Sequence, residues 1–250
     1  MGIYGPLGTI GLISPPRTNE TAMYEAMQVV PEGVSWCLSV LGMADHSAEE
    51  YKKALAMVET CVKELVERKA SAIAFGGIPV ITSQGPEYYL QLAEDMSRYA
   101  GGAVPVTTDI AAVMAALREL GMQRITIISN YQDAILRRAI GAFETAGFEV
   151  VASKGLHLSL AQQLSEGTFD QPFEMAMEAF NEHPDTDGIF FSCPQWPVVR
   201  NIDRIEQATG KPVVTQFQAI SWWAMNQLGI QRPVPGFGRL LAQPEAAGKR

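Results

Sequence analysis

Eight short apolar runs punctuate this chain, at residues 9–14, 34–41, 72–75, 104–107, 125–129, 149–152, 188–192 and 212–215. Runs of this length, bounded by turn residues, read as strands buried on both faces. Between several of them lie longer stretches with helical spacing, at residues 48–68, 86–99, 109–120, 131–146, 173–183, 199–209 and 219–228. Strands alternating with helices predict βαβ units, a parallel sheet and right-handed crossovers. The fold class is therefore α/β. Helix ends carry matching punctuation. Ser47 stands as an N-cap before Glu49 and Glu50, and Gly121, Gly147 and Gly210 stand where glycine C-caps belong.

At 250 residues, with 47% hydrophobic and 18% charged residues, the chain can bury a large core as one domain or two lobes. A formal net charge of −8 argues against nucleic acid as a partner, since phosphate binding wants a basic surface. It does not argue against an anionic substrate, which a few local donors can hold. The three cysteines form no CxxC and the three histidines no HxH or HExxH, so neither metal nor disulfide framework is expected. No apolar stretch approaches the ~20 residues a membrane span needs. Residues 1–11 lack the charged and apolar regions of a secretory signal. Soluble and cytoplasmic is the expectation, with a homo-oligomer left open.

Cys193 ends the run Asp187-Gly188-Ile189-Phe190-Phe191-Ser192-Cys193-Pro194. Ligands of parallel sheets gather beyond the carboxyl ends of strands, so a thiol there is placed to react. Packing as a small buried hydrophobe is the other reading. The segment echoes Ala72-Ile73-Ala74-Phe75-Gly76-Gly77, another strand end followed closely by proline. In that register Gly77 is the counterpart of Cys193, and two halves of similar plan would enclose a cleft. Cys37 within a strand and Cys61 within a helix read as core filling.

These landmarks, taken with Thr9-Ile10-Gly11-Leu12-Ile13-Ser14-Pro15-Pro16, Thr107-Thr108-Asp109, Asn130-Tyr131-Gln132-Asp133 and Pro235-Gly236-Phe237-Gly238-Arg239-Leu240, resemble the aspartate/glutamate racemase superfamily. Arylmalonate decarboxylases and maleate cis-trans isomerases are the nearest in pattern. The resemblance implies two pseudo-symmetric lobes, each a small parallel sheet flanked by helices, with the active site in the cleft between them. It assigns residues 1–115 plus 220–250 to an N-terminal lobe with a returning C-terminal segment. Residues 116–219 would form the C-terminal lobe carrying Cys193.

By the same resemblance, two-base racemases place one cysteine on each face of the substrate carbon. Here Cys193 is present and Gly77 takes the other position, which is the one-cysteine pattern of the decarboxylases. Maleate isomerases use the missing cysteine as nucleophile. Pro15 and Pro16 match a pocket-lining proline pair, and Tyr131 a tyrosine that binds a substrate carboxylate. Asn19 matches an asparagine that holds a carboxylate in the isomerases. Two departures bear on the substrate. Ile78 and Pro79 stand where decarboxylases have Thr-Ser, and Pro194-Gln195 stand where they have Gly-Gly. Proline has no N–H to give an oxyanion, and one lost donor of this kind costs ~3 kcal/mol of transition-state stabilisation. Gln195 offers an N–H pair in its place, and Trp196 an aromatic wall.

The expected activity is therefore cofactor-independent, on a small carboxylate: decarboxylation with protonation by Cys193, ahead of isomerisation or racemisation, ahead of a Cys-dependent hydrolase. The expected site is catalytic Cys193 with Tyr131, Asn19, Pro15, Pro16, Gly77, Ile78, Pro194 and Gln195 around the substrate. A small-molecule binding domain is the non-enzymatic reading, since two lobes around a cleft suit that role too. A lowered thiol pKa at Cys193 would mark a nucleophile.

Overall fold

A computed structural model of the chain describes residues 3–163 and 167–242. Among the described residues eight strands form, one at each apolar run. β1 (Gly8–Pro16), β2 (Val34–Met43), β3 (Ala72–Phe75) and β4 (Val106–Thr108) make a sheet ordered β2-β1-β3-β4. β5 (Arg124–Tyr131), β6 (Glu149–Leu158), β7 (Gly188–Phe191) and β8 (Val213–Thr215) repeat that plan as β6-β5-β7-β8. Every neighbouring pair is parallel. All four residues of β3 and of β7 are buried, which is why these strands appear in sequence as unbroken apolar runs.

Helices α1 (Thr21–Gln28), α2 (Ala48–Glu67), α3 (Ile78–Thr82), α4 (Tyr88–Tyr99) and α5 (Asp109–Glu119) follow the strands of the first sheet. Helices α6 (Asp133–Thr145), α7 (Leu160–Gln163), α8 (Gln171–Glu182), α9 (Ile202–Thr209) and α10 (Gln216–Gln227) follow those of the second, and α11 (Gly238–Ala242) comes last. Ser47 caps α2 by accepting from the Glu50 amide at 3.3 Å. Gly210 ends α9 in the left-handed region at φ +69°, and Gly121 and Gly147 do the same at φ +69° and +92°.

The internal echo is carried by strand register. Across the first sheet Ile13, Phe75 and Thr108 lie side by side. Across the second the same places are held by Ile128, Phe191 and Thr215. Two residues beyond the central strand come Gly77 and Cys193. The first strand of each sheet breaks register at the same point, between Ser14 and Pro16 and between Ser129 and Tyr131. A bulge there lets β1 run on through two prolines that cannot donate to a ladder, so the strand outlasts its expected end at residue 14.

The lobes meet chiefly through α5 against α10. Both are capped by the threonine ending the preceding strand: Thr108 accepts from the Ala111 amide, and Thr215 forms a capping box with Gln218. Seven residues of α5 and nine of α10 are buried, so neither helix presents a broad polar face. Burying each large apolar side chain here stabilises by ~1.5–3 kcal/mol. The C-terminal elements touch helices that follow both sheets. α10 packs on α5, while α11 packs on α9 and β8, with the Gly238 amide donating to Asp203 at 2.7 Å. Residues 243–250 of the expected returning segment lie outside the described residues. No helix among the described residues is long and apolar enough to cross a membrane.

Candidate active site

A recess opens where the strand ends of the two sheets face each other. The first lobe lines it with Ser14, Pro15 and Pro16 at the end of β1, Met43 and His46 after β2, and Gly76, Gly77, Pro79 and Val80 after β3. The second lobe contributes Tyr131 at the end of β5, Leu160 and Gln163 of α7, and Cys193, Pro194 and Gln195 after β7. Seven of the nine expected site residues thus line one recess.

Asn19 and Ile78 do not. Asn19 sits behind the recess, where its amide donates to the Pro16 carbonyl at 3.0 Å. Its carbonyl accepts from Ser14 Oγ at 2.8 Å and from Gln195 Nε2 at 3.0 Å. With its polar atoms so engaged it braces the wall. The Ile78 side chain is fully buried at the start of α3, directed into the core. Gln195 lines the recess, yet its carboxamide is held by the N-terminal lobe, accepting from the Ala22 amide at 3.3 Å while donating to Asn19. Trp196 is buried against Phe191 and walls a neighbouring recess, away from Cys193. Thr107 donates to the Thr108 carbonyl and lines neither recess.

Cys193 is 4% exposed and packs against Tyr131 and Ile135. Burial pushes its thiol up to about 12; the Gln195 amide and the Tyr131 and Asn130 side chains facing the sulfur pull the other way without prevailing. The sulfur is therefore a thiol at neutral pH. Its S–H also donates to Gln163 Oε1 at 3.9 Å. Burial, then the neighbouring Cys193 and Asp109, likewise raises the Tyr131 phenol well above its ordinary value, so it stays a neutral donor. This is an environment for giving a proton, unlike that of a low-pKa nucleophile.

Opposite the sulfur there is no second side chain to match it. A Cβ built on Gly77 would meet Pro15 Cγ and Phe75 Cε1, each at 2.7 Å. The amides beside Gly77 are engaged by Asp109, a carboxylate with no exposed surface that accepts from Ile78 N at 3.2 Å and also faces Gly77 N. Burial raises Asp109 to about 7 against the pull of these donors.

Sequence inspection passed over several of these groups. His46 was one scattered histidine among three, with no motif around it; its ring meets Tyr131 edge-on at 6.1 Å, from 85 positions away in the chain. Asn130 enters only through the motif it shares with Tyr131, and Gln163 carries no sequence signal. Asp109 was only part of the Thr107-Thr108-Asp109 landmark, with nothing to mark its burial. Among the described residues no group of three His, Cys, Asp or Glu side chains is arranged to hold a metal ion.

The arrangement of one cysteine and one tyrosine between two equivalent lobes agrees with comparison to known proteins. A family profile described as arylmalonate decarboxylase matches residues 10–241. The chain belongs to the arylmalonate decarboxylase family. It is 25% identical over 233 residues to arylmalonate decarboxylase of Bordetella bronchiseptica, covering 93% of this chain and 95% of that one. It is 26% identical over 245 residues to maleate isomerase of Geobacillus stearothermophilus, covering 93% and 96%. A crystal structure of arylmalonate decarboxylase, a double variant in the liganded form, shares its fold with a TM-score of 0.85 at 23% identity, over 94% of this chain and 98% of that one. Membership in the family fits the two-sheet architecture and covers nearly the whole of the sequence.

Proposed function

We propose that this member of the family is a cofactor-independent enzyme that decarboxylates a small malonate-type acid and protonates the product from one face with Cys193. The observation that carries this reading is the buried Cys193 thiol lining a recess that presents Gly77, and no second cysteine, from the other lobe. As the C–C bond to one carboxylate breaks, its electron pair passes into the remaining carboxylate to form an enediolate, and carbon dioxide leaves. The Cys193 S–H proton then moves to the carbon, and water restores the thiol. Tyr131 binds a carboxylate as a neutral donor, and Pro15, Pro16 and Pro194 shape the walls without offering N–H groups.

Isomerisation by covalent attack would call for a thiolate at position 77, where there is no side chain. Hydrolysis through a Cys193 thioester would need a base, and the one imidazole lining the recess is held down at about 4 by burial. The test is turnover of a disubstituted malonate by the purified protein, with and without EDTA, beside Cys193→Ser. Activity in EDTA that falls by at least a hundredfold in the folded variant supports the reading. A variant as active as the parent overturns it.

A further inference from the structure

The recess is short of donors. An enediolate needs several hydrogen bonds aimed at the oxygens where charge grows. The strand-end loops supply few here. Ile78 N, with Gly77 N beside it, is directed at Asp109. Pro194 has no N–H, and the Gln195 amide faces the Cys193 sulfur.

Besides Tyr131, one further side chain on the wall has capacity to give. Both ring nitrogens of His46 are shut off from solvent, and neither has a hydrogen-bond partner. A buried donor left unmade costs ~1–3 kcal/mol, so the fold holds a group that a ligand would satisfy. The ring packs edge-on to Tyr131 and lies 6.1 Å from the Tyr51 ring behind it. The guanidinium of Arg138, on α6 of the other lobe, faces Tyr51 and acts on His46 through its charge. The Arg138 guanidinium meets the Tyr51 hydroxyl, and its Nε is buried without a hydrogen-bond partner. A neutral imidazole with a cation behind it makes a favourable position for an anionic oxygen.

We propose that His46 donates its N–H to the substrate carboxylate oxygen on which negative charge develops, supplying by side chain what the loops lack in backbone amides. This rests on the reaction proposed above. Burial, with Arg138 second and Asp45 opposing, keeps the ring neutral, so it donates without surrendering its proton.

The experiment has two arms. In the first, His46→Leu and His46→Gln are assayed with a disubstituted malonate. Loss of one oxyanion donor predicts a kcat lower by 10²–10³-fold for the leucine variant, with KM changed only a few-fold. The glutamine variant, which keeps an N–H, should recover to within about tenfold of the parent. A leucine variant of parental kcat, or equal losses in both, overturns the proposal. In the second, malonate is titrated into protein with ¹⁵N-labelled histidine, and the His46 ring signals are assigned by their loss in His46→Gln. Saturable movement of those signals, with His157 and His183 unmoved, supports the proposal even should no malonate be turned over. Unmoved His46 signals at high malonate overturn it.

Discussion

Gln216 Nε2 donates to Asp109 Oδ2 at 2.7 Å, joining the first residues of α10 and α5 across the two lobes. The two occupy equivalent places, each one residue past the threonine that caps its helix. Their loops differ accordingly. The Asp109 carboxylate accepts from the amide of Ile78, the counterpart of Pro194, whereas the Gln216 carbonyl oxygen is buried without a partner. Proline at 194 has no N–H to give it.

Removing this link should be costly. Asp109→Ala strands the Ile78 amide and the Gln216 amide in the interior, each worth ~1–3 kcal/mol when buried and unpaired. Urea denaturation should show a loss of about 2–5 kcal/mol in unfolding free energy, where a surface aspartate would lose less than about 0.5 kcal/mol.

Cys193 should resist alkylation. With its pKa pushed up to about 12, the thiolate fraction near neutral pH is very small. Iodoacetamide at pH 7.5 should label it far more slowly than a free thiol, and labelling should quicken on unfolding. Rapid labelling of the native protein would show an accessible thiolate at odds with this environment.

A cysteine at 77 should not fit without adjustment. The new Cβ would press on Pro15 and Phe75, and overpacking of this kind costs ~1–3 kcal/mol. Gly77→Cys should lower Tm, and adding Pro15→Ala should restore part of the loss. A double-mutant cycle without coupling would show that the two sites do not touch.

Glu25 sets part of the pH dependence of stability. Burial raises it from 4.5 to about 7, against the pull of the Val199 amide, which donates to it at 2.6 Å across the lobes. A folded pKa raised above the unfolded value means stability is fully present below pH ~4.5 and falls as pH rises toward about 7. The contribution amounts to ~3 kcal/mol or less. Glu25→Gln, whose carbonyl oxygen can still accept from Val199, should flatten the fall of Tm between pH 5 and 8 (roughly the window set by linkage).

Much of this fold could be read along the chain because its strands are short, buried on both faces and bounded by turn residues. β3 and β7 stand out for that reason, and their matched ends placed Gly77 opposite Cys193. Elements without period or length were not legible. α3 is five residues of mixed apolar character after a strand, and α10 begins at Gln216, three residues before its apolar pattern does. In the site, residues next to strand ends could be named, but the use of their polar atoms could not. Asn19 and Gln195 hold each other, and His46 meets Tyr131 only because β2 and β5 end at the same cleft. Such pairings depend on how two lobes dock, a property no local stretch encodes.

The stereochemical course of the reaction in D₂O tests the central claim most directly. A prochiral disubstituted malonate should give one enantiomer carrying a single deuterium at the reacting carbon. Racemic product formed on the enzyme would contradict delivery of the proton from Cys193 alone.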